Sequence, residues 1–215
     1  MKIVDLFSGP KLIGVVGDVN SAKSNFLYHI IEELKKVSIF KLYTYGLKSK
    51  MDNAIEIFSV GELESIENSI VIIDEVMTMW DLDNRKEKKS IENTLRVIHH
   101  NNNIVVLCML PENCKKFIAS KLTITLYKKC TLTDFINGSK TKKIISNYRG
   151  IELGTSILNL AKDKVLIFDN KHYYKLDVPY YEQYDSKKEN ISILNLVNQT
   201  VPKSVPKIEK NKNDN

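Results

Sequence analysis

Gly17, four intervening residues, then Ala22, Lys23 and Ser24 make a spacing that suits the binding of a phosphate chain. In such a loop the main-chain N–H groups of Gly17, Asp18, Val19, Asn20, Ser21 and Ala22 curl inward. The N–H groups at a helix start, here Lys23, Ser24 and Asn25, have no partner within the helix and add to the cradle. The Lys23 ammonium is long enough to reach the β- and γ-phosphates, and the Ser24 hydroxyl is of the right kind to ligate Mg²⁺. Ala22 stands where a second glycine is usual, and its Cβ calls for an unstrained backbone angle there. A small-residue turn with Lys23 simply solvated is the bland competitor. An acidic pair, Asp74-Glu75, closes the apolar run Ser69-Ile-Val-Ile-Ile73. Carboxylates at the end of a buried strand are placed where open α/β sheets bind ligands. Asp74 would hold Mg²⁺, usually through water, and Glu75 would orient and deprotonate an attacking water. The competing reading is a strand end that caps the next segment.

These groups need strands and helices to hold them. Leu12–Val16 reads as a buried strand, the loop follows, and a helix begins near Ala22 with Phe26, Leu27, Ile30, Ile31 and Leu34 on one face, running to about Val37. Ser38–Tyr45 alternates and is rich in β-formers; Ala54–Phe58 is a shorter strand, and Ser59 caps a short helix carrying Glu62. Four successive β-branched residues, Ile70–Ile73, mark a central parallel strand. Trp80–Lys89 is polar and predicted to be mobile. Ser90–His100 is a helix buried through Ile91, Leu95 and Ile98, and Ile104–Leu110 is another buried strand. Glu112–Ser120 is a short helix, and Leu122–Tyr127 alternates as a strand nearer the sheet edge. Strand and helix alternate to this point, so the core is α/β with a mainly parallel sheet flanked by helices and right-handed crossovers.

Beyond Lys128 the pattern changes. Lys140–Tyr148, Lys164–Phe168 and His172–Leu176 are β segments, the last two paired as a hairpin. From Ser186 six lysines face three acids, and Ile191, Leu194 and Val197 offer one amphipathic docking segment within an otherwise flexible, disordered tail. The predicted organisation is a core over 1–130, a β-rich C-terminal extension of the same domain over 131–185, and a polar basic tail over 186–215.

At 215 residues, 43% hydrophobic and 27% charged, the composition is that of an ordinary globular chain with one principal domain. The net charge of +6 permits a polyanionic partner without demanding one, since 29 of the 32 basic residues are lysines that AT-rich coding would also favour. Cys108, Cys114 and Cys130 fit no metal spacing and are expected as reduced thiols in a cytoplasm. There is no signal peptide and no apolar run approaching the ~18 residues of a membrane span. His99 and His100, adjacent on a helix, diverge by about 100° and make a poor metal pair.

Gly17-x4-Ala22-Lys23-Ser24, Ile70–Ile73 followed by Asp74-Glu75, and the strand Ile104–Leu110 together resemble the P-loop NTPases of the additional-strand, catalytic-glutamate division. Within it the compact layout over Lys11–Tyr127 is most similar to the small FtsK/HerA-type viral DNA-packaging ATPases. That resemblance implies a P-loop NTPase fold and an ATP-hydrolysing, Mg²⁺-dependent motor. It also implies a homo-oligomeric ring on double-stranded DNA, a capsid or portal component as partner, and a cytoplasmic location, the host's if viral. It implies an arginine finger supplied to a neighbouring subunit, for which Arg96 is the first candidate and Arg85 the second. Lys140, Lys142 and Lys143 are candidates for DNA contact, a solvated basic strand being the alternative. Two departures stand out: Met109-Leu110 replaces the usual polar sensor, with Asn113 the nearest amide, and His99-His100 replaces an arginine. Two related functions remain open, an ATP-switched DNA-binding or helicase-loading factor with slow hydrolysis, and a zonula occludens toxin-type phage assembly ATPase. The latter is disfavoured because such proteins typically carry a membrane span.

Overall fold

A computed structural model describes residues 6–7, 9–37, 40–49, 51–131, 157–169 and 172–184. Met1–Tyr181 cluster as one compact unit and Glu182–Asn215 as a second. The described part of the second is one 3-10 turn, Glu182–Tyr184. The Lys140–Tyr148 segment, with Lys140, Lys142 and Lys143, and the tail from Ser186 lie outside the described residues.

The first unit is built on one eight-stranded sheet. Six strands are parallel: β1 (Lys11–Val16), β2 (Lys41–Tyr45), β3 (Ala54–Glu56), β4 (Ser69–Ile73), β5 (Ile104–Met109) and β6 (Ile124–Tyr127). β7 (Lys164–Phe168) and β8 (Tyr173–Asp177) continue the sheet antiparallel, giving the order β3-β2-β4-β5-β1-β6-β7-β8. Every residue of β4 and β5 is buried, which is why both read as unbroken apolar runs rather than alternating ones. β5 lies between β1 and β4. The strand carrying the loop and the strand carrying the acids are therefore two ladder spacings apart, about 10 Å.

One buried amide fixes the level of these three strands. Asn103 Oδ1 accepts from the Ser69 N–H at 2.9 Å and its Nδ2 donates to the Ile66 carbonyl at 2.6 Å, while its own carbonyl accepts from Lys11 N–H at 3.3 Å. The starts of β1, β4 and β5 are thus tied together, and their other ends emerge side by side.

Helix α1 (Lys23–Val37) crosses from β1 to β2 and buries Phe26, Leu27, Ile30, Ile31 and Leu34. α2 (Val60–Glu64) starts at the predicted cap: Ser59 Oγ accepts from Glu62 N–H at 3.3 Å and donates to Glu62 Oε1 at 2.8 Å. α3 (Val76–Met79), α4 (Arg85–His100) and α5 (Lys116–Ala119) follow in the same core.

Four expectations are corrected. The run Trp80–Lys89 is not a free loop: Trp80 and Leu82 are buried, and α4 begins five residues earlier than its apolar pattern suggests, capped by Asn84 Oδ1 on Lys86 N–H at 3.0 Å. Asn84 Nδ2 and Asp81 N–H are both held by Glu87, which closes the turn before the helix. The helix expected over Glu112–Ser120 is split, a 3-10 turn at Pro111–Asn113 and then α5, because Cys114 has a non-helical backbone. β6 is interior rather than near the edge, since β7 returns beside it and all four of its residues are buried. The Ala54–Phe58 strand stops at Glu56, leaving Phe58 exposed before the Ser59 cap.

Candidate phosphate and metal site

The loop between β1 and α1 is fixed by its neighbours and by itself, through bonds that occupy the N–H groups of Gly17, Asp18, Val19 and Ser21, four of those expected to line a phosphate cradle. Gly17 N–H donates to the Met109 carbonyl at 3.4 Å and Asp18 N–H to the Lys129 carbonyl at 2.8 Å, so the loop is pinned to the ends of β5 and β6. Asp18 also orders the loop from inside: its Oδ1 accepts from Val19 N–H at 2.6 Å, and its carbonyl accepts from Ser21 N–H at 3.2 Å and Lys23 Nζ at 2.8 Å. The Lys23 ammonium thus rests on the loop's own backbone. The first turn of α1 carries no acidic residue to compete with an anion.

Gly17 is required by close approach. A Cβ there would lie 2.6 Å from Ser21 Oγ and 2.7 Å from Lys128 Cβ. Ala22 is another matter. Its φ is +67°, and Asn20 stands at +62°, so the alanine is left-handed and the expectation of an unstrained angle fails. An L-residue in that region costs roughly 1–2 kcal/mol, partly offset by the extra unfolded-state freedom of glycine. Ala22→Gly is therefore expected to raise stability by roughly 0.5–1 kcal/mol, measured by urea unfolding. Unchanged or lower stability would show that the loop relaxes around the alanine.

Asp74 follows β4 directly and is 3% exposed. Its N–H donates to the Tyr45 carbonyl at 2.9 Å, and Ser24 of α1 and Cys108 of β5 stand beside its carboxylate. The loop and the acid therefore converge on one spot. Burial raises the Asp74 carboxyl above the usual range; the neighbouring Ser24 and Cys108 side chains oppose this, Glu75 adds to it, and the Lys23 charge opposes it. Glu75 itself is exposed, with φ of +55°, and its side chain makes no capping bond to α3. Its carbonyl accepts from Thr78 N–H at 2.9 Å and Thr78 Oγ1 at 2.8 Å.

Among the described residues, two buried side-chain polar atoms have no hydrogen-bond partner, Ser21 Oγ and Asp74 Oδ1. Such atoms are costly to bury unless something comes to meet them. One lies in the loop beside Gly17 and the other on the acid beside Ser24, so the hydroxyl and carboxylate oxygens of Ser21, Ser24 and Asp74 suit a phosphate chain and a hard divalent cation.

The remaining predicted residues divide. Val19 and Asn20 are exposed at the loop tip. Asn25 offers its backbone to the loop, but its side chain is turned away. Asn25 Nδ2 donates to the Tyr181 carbonyl at 2.6 Å and Tyr181 N–H donates to Asn25 Oδ1 at 3.0 Å, strapping the segment after β8 onto α1 beside His29. Arg96 sits on the exposed face of α4, and Arg85 opens that helix. His99 and His100 are exposed at its end, and among the described residues no cluster of three or more metal-ligating side chains forms.

Sequence reasoning missed Lys128. It is 0% exposed, its Nζ donates to the carbonyls of Lys162 at 2.6 Å and Lys164 at 2.8 Å, and it lies over the Phe26 ring at 5.6 Å. It joins the loop's back wall to the start of β7; the lone signal was a lysine ending an apolar strand. Burial lowers its pKa to about 8, Asp163 opposing. The unfolded chain, titrating near 10.5, then binds the proton more tightly than the folded one between those two values. This group makes stability rise with pH across that window, by up to about 1.4 kcal/mol per pH unit. Lys128→Met is expected to lose that component, seen as a difference in pH slope between the two proteins in chemical denaturation; identical slopes would refute the assignment.

No protein-family model matches the chain, and no curated protein does. Solved structures do. The genome packaging NTPase B204 from Sulfolobus turreted icosahedral virus 2, in complex with AMPPCP, superposes with a TM-score of 0.58 at 15% identity, covering 80% of this chain and 98% of that one. The pCW3 conjugation coupling protein TcpA, in its monomer form with ATPgS, gives 0.52 at 18% identity over 87% of this chain and 65% of that one. EssC (ATPases 2 and 3) from Geobacillus thermodenitrificans gives 0.51 at 11% identity over 90% and 45%. The likeness is one of fold: the chain has the P-loop NTPase architecture and resembles viral packaging ATPases.

Proposed function

We propose that this chain binds ATP with Mg²⁺ between the Gly17–Ser24 loop and Asp74, and hydrolyses it to drive movement of double-stranded DNA, as in genome packaging. The observation that carries the nucleotide reading is the pair of orphaned buried oxygens, Ser21 Oγ and Asp74 Oδ1, placed on the two halves of one site. The DNA part is supported by the resemblance in fold to a genome packaging NTPase and a conjugation coupling protein.

In this mechanism Lys23 leaves the Asp18 carbonyl for the β- and γ-phosphates. Ser24 and Asp74 hold the cation, which when bound supplies neutralisation of phosphate charge. Glu75 takes the proton of the attacking water; its exposed side chain, unspent on capping, is available for that. A ring of copies would bring Arg96, or Arg85, to a neighbour's phosphates. Among the described residues no helix is long and apolar enough to cross a membrane.

The test is steady-state ATP hydrolysis by the full chain with and without double-stranded DNA, beside size-exclusion sizing. Stimulated turnover by an oligomer, lost in Lys23→Ala, is the expected result. Tight ATP-dependent DNA binding with negligible turnover would replace the motor by a nucleotide switch. No nucleotide binding at all would overturn the reading.

A further inference from the structure

The thiol of Cys108 has no part in the mechanism above, yet it occupies the strand between the loop and the acids. Cys108 pairs with Val15 of β1 on one side. On the other, β4 and β5 run in register from Ile70–Ile104 to Ile73–Leu107, so Asp74, the next residue, stands level with Cys108. Level residues on parallel neighbours project to the same face. By that register the Cys108 side chain, 0% exposed, is on the face from which the Asp74 carboxylate rises, with Ser24 of α1 beside it. Asp74 is itself 97% buried, being 3% exposed, and its Oδ1 keeps no partner.

We propose that Cys108 is a positioning residue for the cation site: its S–H donates to the Asp74 carboxylate and fixes the rotamer in which Oδ1 is left for a divalent cation. This rests on the nucleotide reading. A carboxylate at the end of a strand has a broad terminal torsion and swings unless something holds it. Ser24 cannot be the permanent holder, because its hydroxyl is itself a cation ligand in the loaded state. The thiol is the group that stays.

Removing an outer partner of a metal ligand typically weakens metal affinity about 10-fold or more. The full-length chain is titrated with a non-hydrolysable ATP analogue, once with Mg²⁺ and once with chelator, in wild type, Cys108→Val and Cys108→Ser. Val keeps the volume without the donor; Ser keeps a donor. In Val the Mg²⁺-dependent part of the affinity is expected to fall about 10-fold while the metal-free affinity stays, and Ser is expected to restore it. A second readout needs no ligand: the S–H stretching band in the infrared, assigned by its loss in Cys108→Ser, is expected to shift when Asp74→Asn is made. Equal Mg²⁺ dependence in Val and wild type, or a band indifferent to Asp74→Asn, overturns the proposal. If the wild type binds no nucleotide under either condition, the functional reading falls instead, and the infrared band alone decides whether the thiol holds the carboxylate.

Discussion

Glu75→Gln is expected to bind ATP as the wild type does and to turn over about a thousandfold more slowly, the scale of a lost general base. The two effects separate because of where the side chain stands. Asp74, not Glu75, is buried beside Ser24, so in the proposed mechanism the cation and phosphate contacts do not pass through residue 75. The backbone that presents Glu75 is held independently of its carboxylate. The Asp74 N–H is tied to Tyr45, and the Glu75 carbonyl is taken twice by Thr78. Gly46, at φ +73°, lets the neighbouring strand end approach the Asp74 carbonyl so closely that a Cβ would lie 2.6 Å from it. The left-handed angle at Glu75, φ +55°, is a backbone cost of roughly 1–3 kcal/mol, and residues are kept in such angles where the surroundings over-determine them. Glutamine inherits the same angle and shape and loses only basicity. Nucleotide titration beside single-turnover hydrolysis checks this. A variant that retained turnover within about tenfold of wild type would remove Glu75 from the base role, since general bases contribute at least 10²-fold.

The site was readable to the extent that its chemistry is local in sequence. Gly17, Lys23 and Ser24 lie within one turn of loop and helix, and Asp74-Glu75 ends a strand whose β-branched run announces double-sided burial. The hairpin of β7 and β8 was legible for a similar reason, two short apolar runs with Asp169 between them, whose Oδ1 accepts from His172 N–H at 2.7 Å. What was not legible comes from distant chain. β6 looked like an edge strand because the residues that cover it arrive some forty positions later. Lys128 could not be singled out because the carbonyls that receive it belong to Lys162 and Lys164. Trp80 and Leu82 were hidden by their setting, since two apolar residues in a polar run have no period to betray the face they bury. Cys108 was lost inside an apolar strand, where a thiol is chemically silent until register shows which carboxylate it faces. The left-handed angle at Ala22 could not be read from a methyl side chain.

Asp74→Asn is expected to make the metal-free chain melt higher and the nucleotide-loaded chain melt lower, a crossing that few substitutions produce. Without ligand, burial is the largest influence on Asp74 and raises its folded pKa above the ordinary aspartate value. A carboxyl so shifted contributes stability that is fully present below the unfolded pKa and is lost as pH rises through the folded one. The charged form of this carboxylate is therefore costly in the ligand-free chain, with Oδ1 unpartnered. A neutral amide of the same shape removes that cost and flattens the stability profile on the acid side. With ATP and Mg²⁺ the balance reverses. A ligand at a hundred times its Kd stabilises the folded state by about 2.7 kcal/mol, and a variant that cannot hold the cation forfeits most of this. Thermal melts of both proteins, with and without Mg²⁺ and a non-hydrolysable ATP analogue, give four numbers that must cross. If Asp74→Asn lowers the melting temperature of the empty chain, the carboxylate is a structural group satisfied by Ser24 and Cys108. The orphaned oxygen would then no longer point to a cation, and the nucleotide reading would lose the observation that carries it.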